Sequence, residues 1–191
     1  MNREIKLIIS DFDGTLVDTK DANFMAYRDI LKDANYDLTP QKYDECFGLR
    51  FEEFMHHLGI VDQVLMNKIR ANKAKVYPSY FHRIKTNRNL TQFIESFRQS
   101  GGKTALASTA ARHNLINVLT FAGLINLFDL IISGDEIMRP KPDPECYIKA
   151  MQQFNMQPHE CLIFEDAPIG IEAASASGAN YIIVKEFFHG N

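Results

Sequence analysis

The 191-residue sequence predicts an α/β protein with a three-layer, mostly parallel sheet and an inserted all-helical unit. Five short β-rich runs are apolar almost throughout, as expected of parallel strands that are covered on both faces. Helical patterns separate the later runs, and this alternation favours right-handed crossovers and an open sheet. Residues 16–83 interrupt it with long helical periodicities and no convincing strand. We therefore predict a core domain of residues 1–15 and 84–191 and a helical insertion of residues 16–83.

The predicted strands are, in chain order, IKLII, KTALA, DLII, CLIF and YIIV, at residues 5–9, 103–107, 129–132, 161–164 and 181–184. The helices between the later strands are indicated by apolar residues at helical spacing and by residues that stop or start a helix. The first ends at Gly101 and Gly102 and the second at Gly123, because glycine readily terminates a helix. The third has Asp143 as its expected N-cap and Pro144 at its first helical position.

Composition and charge restrict the class of protein. Apolar residues make up 46% of the chain and the net charge is −3, which is ordinary for a globular protein and gives no electrostatic case for nucleic acid or an anionic membrane as partner. The three cysteines lack CxxC spacing and predict neither a disulfide framework nor a zinc site. The N-terminus has no signal-peptide core, and no apolar run approaches the roughly 20 residues of a membrane span. We expect a cytoplasmic protein, and the sequence leaves a monomer or a dimer open.

Four carboxylates follow two of the predicted strands. Asp11 and Asp13 come after the first strand, and Glu165 and Asp166 come after CLIF. Ligands of an open parallel sheet lie beyond the carboxyl ends of its strands. If these two strands are neighbours, the carboxylates converge and repel one another unless a cation lies among them. Hard oxygen ligands at an open, substrate-facing position indicate Mg²⁺, so we predict a magnesium and phosphate site.

Two further strand ends supply groups that suit a phosphate. Ser108 and Thr109 follow KTALA as hydroxyl donors, ahead of a helix whose free N–H groups favour an anion. Lys141 lies between two prolines, which stiffen the backbone and aim the ammonium group toward the same edge of the sheet. Each feature alone has an ordinary explanation, since such a pair often caps a helix and such a lysine is usually exposed. The order of all the sites along the chain is far more specific.

This ordered set resembles the four motifs of the haloacid dehalogenase (HAD) superfamily. The motifs here are DxDGT after the first strand, Ser/Thr after a later strand, Lys before a Pro-Asp helix start, and an acidic pair followed by APIGIEAASASG. The similarity extends over nearly all of the chain. It implies the Rossmann-like HAD fold, and the helical insertion resembles the C1-type cap of the subgroup that contains β-phosphoglucomutase and phosphoglycolate phosphatase.

The resemblance implies a role for each acidic residue. Asp11 would be the nucleophile that forms an aspartyl-phosphate, and Asp13 would be the general acid and then the general base. Residues i and i+2 of an extended segment point to the same side, so these two can address one substrate. Asp11, the backbone carbonyl of Asp13 and the carboxylate of Asp166 would bind Mg²⁺, with Glu165 orienting a bound water or the metal shell.

The resemblance also implies roles for the other motif residues. Ser108 and Lys141 would hold the transferring phosphoryl group, and Lys141 would also offset the charge of the nucleophile. Gly14 would permit a tight turn out of the site, and Thr15 would cap or brace that turn. Candidate substrate-binding residues are therefore Gly14, Thr15, Ser108 and Thr109.

A phosphatase is the leading interpretation, because family members that cleave carbon–halogen or phosphonate bonds lack the second aspartate, which is present here as Asp13. A sugar-phosphate mutase of the β-phosphoglucomutase kind is the first alternative. Such mutases carry a histidine in the first cap helix where this chain has Asn23, although Lys73 lies about where they place a cap lysine. A catalytically silent HAD-like binding module is the second alternative, and the intact motif residues weigh against it.

The sequence leaves the substrate open among a sugar phosphate, a phosphoglycolate-like acid and a nucleoside monophosphate. The segment CFGLRFEEF resembles the specificity loop of the family's cap, with Gly48 allowing a bend and Arg50 able to meet a second anionic group of the substrate. An arginine in a solvated loop explains Arg50 equally well. Beyond the last strand, Phe187 and Phe188 or a second subunit could shield a bare sheet edge.

Overall fold

The structure is a computed structural model that describes residues 4–47 and 49–185. Gly48, Phe187 and Phe188, for which the sequence predicts a bend and an edge cover, lie outside the described residues. The chain divides into two compact units. One holds the residues up to Asp18 and those from Lys85 onward, and the other is Thr19–Ile84. The predicted helical insertion, 16–83, covers nearly the same residues as the second unit.

The described part of the chain contains seven strands and eight α-helices. The strands are β1 (Leu7–Ser10), β2 (Val17–Asp18), β3 (Lys85–Thr86), β4 (Lys103–Ala107), β5 (Leu130–Ile132), β6 (Cys161–Glu165) and β7 (Asn180–Ile183). The helices are α1 (Lys20–Asp33), α2 (Pro40–Cys46), α3 (Phe51–His57), α4 (Gln63–Val76), α5 (Arg88–Gln99), α6 (Arg112–Phe121), α7 (Glu145–Gln153) and α8 (Pro168–Ala176).

The first unit is built around a parallel sheet whose strand order is β5-β4-β1-β6-β7. The central strand β1 pairs with β4 on one side and β6 on the other, so that Ile9 lies opposite Ala105 and Ile163. The remaining neighbours are also parallel. A separate two-stranded antiparallel ribbon is formed by β2 and β3. The sheet and its flanking helices confirm the α/β fold class that the sequence predicts.

The apolar character of the central strands follows from burial on both faces. Leu7 and Ile9 pack in one cluster with Tyr147 of α7 and Ala173 of α8. Ile8 is just as buried, and successive strand residues point to opposite faces, so it belongs to the other side of the sheet. Because β4 and β6 both run parallel to β1, the carboxyl ends of these three strands lie at one edge of the sheet.

The start of α7 differs slightly from the prediction. Asp143 is the expected N-cap and Pro144 the expected first residue, whereas the helix begins at Glu145. The Asp143 carboxylate nevertheless accepts a hydrogen bond from the Glu145 N–H at 3.0 Å and so satisfies one of the free donors at this end. The glycine stops at Gly101 and Gly123 are as predicted, since these residues have φ of 95° and 71° and each follows the C-cap residue of its helix.

The second unit is helical, and no strand occurs among its described residues. Thr39 caps α2 by accepting from the Lys42 N–H at 3.3 Å, and Asp62 caps α4 by accepting from the Val64 N–H at 2.8 Å. Its core is an apolar cluster that includes Leu31, Met55, Ile60, Met66 and Ile69. In the part of the chain that the structure describes, no helix has the length and apolar character needed to cross a membrane.

Candidate active site

Strand order brings together acidic residues that are far apart in the chain. Asp11 follows β1 and Glu165 ends β6, and these two strands are neighbours, as the carboxylate prediction requires. The Asp11 N–H donates to the Phe164 carbonyl at 2.9 Å, which extends the pairing beyond β1. Oxygen atoms of Asp11, Glu165 and Asp166 lie within 4.8 Å of one another. Three carboxylates therefore share one spot at the carboxyl edge of the sheet.

Lys141 is the cation of this site. Its Nζ lies 2.5 Å from Asp11 Oδ1 and 2.6 Å from Glu165 Oε1, and 3.5 Å from the carbonyl oxygen of Ala107. Only 5% of the lysine side chain is exposed. The peptide bond that joins it to Pro142 is cis. One buried ammonium group thus bridges two carboxylates, one directly after β1 and one at the end of β6.

Burial and crowding shift the pKa values of these groups. Burial raises the pKa of Asp11 to about 8, an effect that Lys141 opposes and Glu165 adds to. Burial likewise raises the pKa of Asp166, although a hydrogen bond from Thr15 favours its charged form. Burial alone lowers the pKa of Lys141, but the charges of Asp11 and Glu165 outweigh it, and the pKa rises well above its ordinary value. Lys141 is therefore charged, and Asp11 and Glu165 share this one ammonium group as a partner.

The donor set suits a hard divalent cation. Clustered carboxylates at the carboxyl edge of a parallel sheet, where ligands of such sheets bind, offer the hard oxygen ligands that Mg²⁺ prefers. A divalent cation among them favours the charged forms of Asp11 and Asp166 and so counters the burial and repulsion that raise their pKa. The predicted ligands Asp11 and Asp166 are therefore placed together, with Glu165 beside them.

Both oxygens of Glu165 are already engaged. Oε1 accepts hydrogen bonds from Lys141 Nζ and from the Tyr147 hydroxyl, the latter at 3.0 Å. Oε2 accepts from the backbone N–H groups of Asp166 and Ala167 at 2.7 and 2.9 Å. Four hydrogen bonds thus fix a carboxylate that is 1% exposed, and this carboxylate in turn fixes Lys141. The predicted role of Glu165 toward a water or the metal shell stays a prediction.

Residues of the turn after β1 contact the side chain of Asp166. Thr15 Oγ1 donates to Asp166 Oδ1 at 2.7 Å. Gly14 has a φ of 88°, and a Cβ added to it would lie 2.0 Å from Asp166 Oδ2. Only glycine combines this backbone conformation with such a close approach to a neighbouring side chain. The turn residues therefore brace Asp166, and their contact with a substrate stays a prediction.

Ser108 follows β4, whose carboxyl end lies at the same edge of the sheet as that of β1. It is buried, and its Oγ accepts from the Ala110 N–H at 3.1 Å, whereas Thr109 is exposed. The following helix α6 begins at Arg112, whose N–H donates to Asp135 Oδ2 at 2.8 Å. One of the N–H groups predicted to favour an anion therefore already has a carboxylate partner. Phosphate contacts of Ser108 and Thr109 stay predictions.

Two predicted residues, Asp13 and Arg50, are not members of the carboxylate cluster. Asp13 is partly buried and forms a backbone bridge with Val17, and its side chain is not among the three clustered carboxylates of the described residues. Its predicted roles as acid, base and carbonyl ligand stay predictions. Arg50 belongs to the helical unit, where it is exposed directly before α3 and its N–H donates to Glu53 Oε2 at 3.4 Å. Its contact with a substrate likewise stays a prediction.

Sequence reasoning did not identify Tyr147 as a residue of this site. It lies in α7, is fully buried, and places its ring 4.9 Å from Lys141 Nζ in addition to its hydrogen bond with Glu165. In sequence it is indistinguishable from an apolar residue of a core-facing helix. The only available signal is the polar end of tyrosine, which usually finds a partner when buried.

Replacing Tyr147 by phenylalanine tests whether this hydroxyl orients Glu165 and Lys141. We expect Tyr147→Phe to keep the ring packing but to lower the free energy of unfolding by about 1.5–3 kcal/mol, because the buried carboxyl group of Glu165 loses one of its hydrogen bonds. We also expect kcat to fall roughly 3- to 10-fold with KM little changed, since the lysine is held less firmly. Tyr181→Phe, at a half-exposed tyrosine of β7, is the matched control. Wild-type kcat in Tyr147→Phe would show that the hydroxyl has no such role.

The chain is similar to known proteins over most of its length. A model of the haloacid dehalogenase-like hydrolase family matches residues 8–184. The phosphorylated carbohydrates phosphatase of Thermotoga maritima is 27% identical over 184 residues, which cover 93% of this chain and 84% of that protein. The fructose-1-phosphate phosphatase YqaB of Escherichia coli is 26% identical over 192 residues, which cover 93% of this chain and 95% of that protein.

A solved structure shows the same fold. The crystal structure of β-phosphoglucomutase from Clostridium difficile matches with a TM-score of 0.79 and 23% identity, and the match covers 96% of this chain and 86% of the other. The family match spans the four motifs from Asp11 to Asp166. The chain therefore belongs to the haloacid dehalogenase-like hydrolases, and the family and fold predicted from those motifs are confirmed.

Proposed function

We propose that this protein is a Mg²⁺-dependent phosphatase that hydrolyses a small phosphate monoester through an aspartyl-phosphate on Asp11. The proposal rests on the groups that surround the Asp11 carboxylate. One of its oxygens lies 2.5 Å from Lys141 Nζ, and oxygens of Glu165 and Asp166 lie within 4.8 Å. This arrangement combines a nucleophile, a fixed positive group and a cation site. The relatives named as phosphatases support the reaction class.

The first step transfers the phosphoryl group to the protein. An Asp11 carboxylate oxygen attacks phosphorus and forms an O–P bond, while the bond from phosphorus to the ester oxygen breaks. The leaving oxygen keeps the electron pair of that bond and takes a proton from the Asp13 carboxyl. The products of this step are a free alcohol and an aspartyl-phosphate.

The second step regenerates the enzyme. Asp13, now a carboxylate, takes a proton from a water molecule as the water oxygen attacks phosphorus. The O–P bond to Asp11 breaks, the carboxylate is restored, and inorganic phosphate leaves. Asp11 is thus the nucleophile of the first step and the leaving group of the second, and Asp13 returns to its protonated form for the next cycle.

Lys141 and Ser108 stabilise the charge that develops on the phosphoryl oxygens. The ammonium group of Lys141 is held in place by Asp11 and Glu165, so little reorganisation is needed as the reaction proceeds. Asp11, Asp166 and the backbone carbonyl of Asp13 would hold Mg²⁺. When bound, the ion acts as a Lewis acid on the phosphoryl oxygens and reduces their repulsion of the attacking carboxylate.

For the substrate, we favour a phosphorylated sugar or a small phosphorylated acid. The two relatives are named for phosphorylated carbohydrates and for fructose 1-phosphate, and each matches more than nine-tenths of this chain. In the helical unit, Arg50 is an exposed arginine that can pair bidentately with a carboxylate or a second phosphate of such a substrate.

A β-phosphoglucomutase-like reaction is the second candidate, and the shared fold with the Clostridium difficile enzyme favours it. Asn23 stands at the position where the sequence resemblance expects a histidine in such mutases. Its Nδ2 donates to Thr19 Oγ1 at 2.8 Å, one turn earlier in the chain. An amide does not exchange a proton near neutral pH as an imidazole does, so this residue supports hydrolysis over transfer.

The proposal is tested by phosphate release from p-nitrophenyl phosphate and from a panel of sugar phosphates, phosphoglycolate and nucleoside monophosphates. We expect release with Mg²⁺ that falls about 100-fold or more with chelator and returns when Mg²⁺ is restored. Release that persists without divalent metal would contradict the metal site. Interconversion of a β-hexose 1-phosphate in the presence of its bisphosphate, without net phosphate release, would indicate the mutase. If the protein turns over none of these esters, the catalytically silent binding module is the interpretation that remains.

A further inference from the structure

We infer that Asn87 is a positioning residue that holds the turn bearing Thr15 in place and thereby orients Asp166, the predicted metal ligand. The inference rests on the function proposed above and adds a residue outside the four motifs. Asn87 lies directly after β3 and directly before α5, at the point where the chain enters the helix that follows the ribbon. It is buried, with 6% of its surface exposed.

The side chain of Asn87 accepts one hydrogen bond and donates another. Its Oδ1 accepts from the Leu90 N–H at 3.1 Å, which caps α5. Its Nδ2 donates to the backbone carbonyl oxygen of Thr15 at 3.1 Å, and this contact is buried. The Asn87 N–H in addition donates to the Leu16 carbonyl at 2.9 Å. One residue therefore joins the first turn of α5 to two successive carbonyls of the turn after β1.

The carbonyl that Asn87 holds belongs to the residue that holds Asp166. Thr15 is fully buried and donates its hydroxyl to Asp166 Oδ1 at 2.7 Å. The same turn brings Gly14 so close to Asp166 that a Cβ would meet its Oδ2. A shift of the Thr15 backbone would therefore move a hydrogen-bond donor and a close backbone contact of this carboxylate together. Outer partners of this kind set the orientation of metal ligands.

Capping alone does not account for asparagine at this position. Serine, threonine, aspartate and asparagine all accept the N–H of a helix start, and the caps Thr39 and Asp62 of the helical unit do so without an amide. Asparagine differs because it can accept and donate at the same time. Aspartate at position 87 would keep the cap but place a carboxylate oxygen against the Thr15 carbonyl, leaving two acceptors facing each other in a buried place.

Two substitutions separate the cap from the contact with Thr15. Asn87→Asp keeps the acceptor for Leu90 N–H and removes the amide donor, and Asn87→Ser keeps an acceptor without adding negative charge. We expect both variants to bind Mg²⁺ about 10-fold more weakly than wild type by titration calorimetry and to lose about 10-fold in kcat, as removal of an outer partner of a metal ligand typically does. Without metal, the thermal midpoint of Asn87→Ser should stay within a few degrees of wild type because the cap persists, whereas that of Asn87→Asp should fall further because two buried acceptors then face each other.

The reverse exchange, Asp62→Asn, is the matched control, since it swaps the same residue types at the cap of α4 in the helical unit. It should leave Mg²⁺ binding and kcat unchanged. Wild-type Mg²⁺ affinity in both Asn87 variants would overturn the inference. Weakened binding in Asn87→Asp alone would also overturn it, because the effect would then come from the two buried acceptors that face each other and not from the loss of the amide donor. A wild-type protein that binds no Mg²⁺ would refute the proposed function instead, so the two failures are distinguishable.

Discussion

The Asp11→Asn variant is expected to lose catalytic turnover by roughly four orders of magnitude or more, the scale seen when a covalent nucleophile is removed. Asparagine has the same size, but its amide does not attack phosphorus as a carboxylate does. The fold should survive, because the change removes one of three crowded carboxylates and leaves Lys141 paired with Glu165 at 2.6 Å. The measurement is kcat with p-nitrophenyl phosphate at saturating Mg²⁺, together with the thermal midpoint.

The matched control for this variant is Asp33→Asn at the exposed end of α1, which makes the same chemical change far along the chain. It should retain kcat within about twofold of wild type, as surface substitutions usually do. Turnover in Asp11→Asn at a tenth of the wild-type rate or above would show that another group attacks phosphorus.

The second large effect is expected from Lys141→Met, which removes the cation of the site. Asp11 and Glu165 would then be buried without their ammonium partner, and breaking a buried pair in this way costs about 3–5 kcal/mol in the free energy of unfolding. We expect that loss in denaturant titrations without metal. The kcat should fall about 100- to 1000-fold, since a fixed group that stabilises the transferring phosphoryl oxygens is gone.

Two further variants show whether the loss comes from uncompensated charge. Lys149→Met removes a half-exposed lysine of α7 that pairs with Glu145 at 3.0 Å, and it should cost less than about 1 kcal/mol. The double variant Lys141→Met with Glu165→Gln removes a charge of each sign and should recover part of the stability lost in the single variant. If Lys141→Met is as stable as wild type, the buried ion pairs have no net role in stability.

Much of the site could be predicted because strand ends are visible in sequence. Asp11 after β1, Ser108 after β4 and Glu165 at the end of β6 each interrupt an apolar run with a polar group. In a parallel sheet such groups share one edge, so chemistry and position could be predicted together. Apolar runs carry no information about strand order, so the sequence does not predict that β1 and β6 are neighbours. The prediction that the carboxylates converge holds only if they are.

Other parts of the site depend on side-chain packing between elements and could not be predicted. The engagement of both Glu165 oxygens follows from the positions of Tyr147 and the α8 start relative to β6. Asn87 and Thr15 are 72 positions apart, so the sequence gives no sign of their contact. It indicates Asn87 only as a possible helix cap. Likewise, the Arg112 N–H at the start of α6 donates to Asp135, which lies in the segment after β5.

The measurement that tests the aspartyl-phosphate most directly is an acid quench of the Asp13→Asn variant during turnover of p-nitrophenyl phosphate. The p-nitrophenolate group leaves without a donated proton, so the first step proceeds, whereas the second slows because no carboxylate takes the proton of the attacking water. We expect a burst of about one p-nitrophenolate per enzyme molecule and one phosphoryl group on the peptide that contains Asp11. A phosphoryl group found on another residue would contradict the proposed mechanism. So would product formation by both wild type and variant with no burst and no phosphorylated peptide.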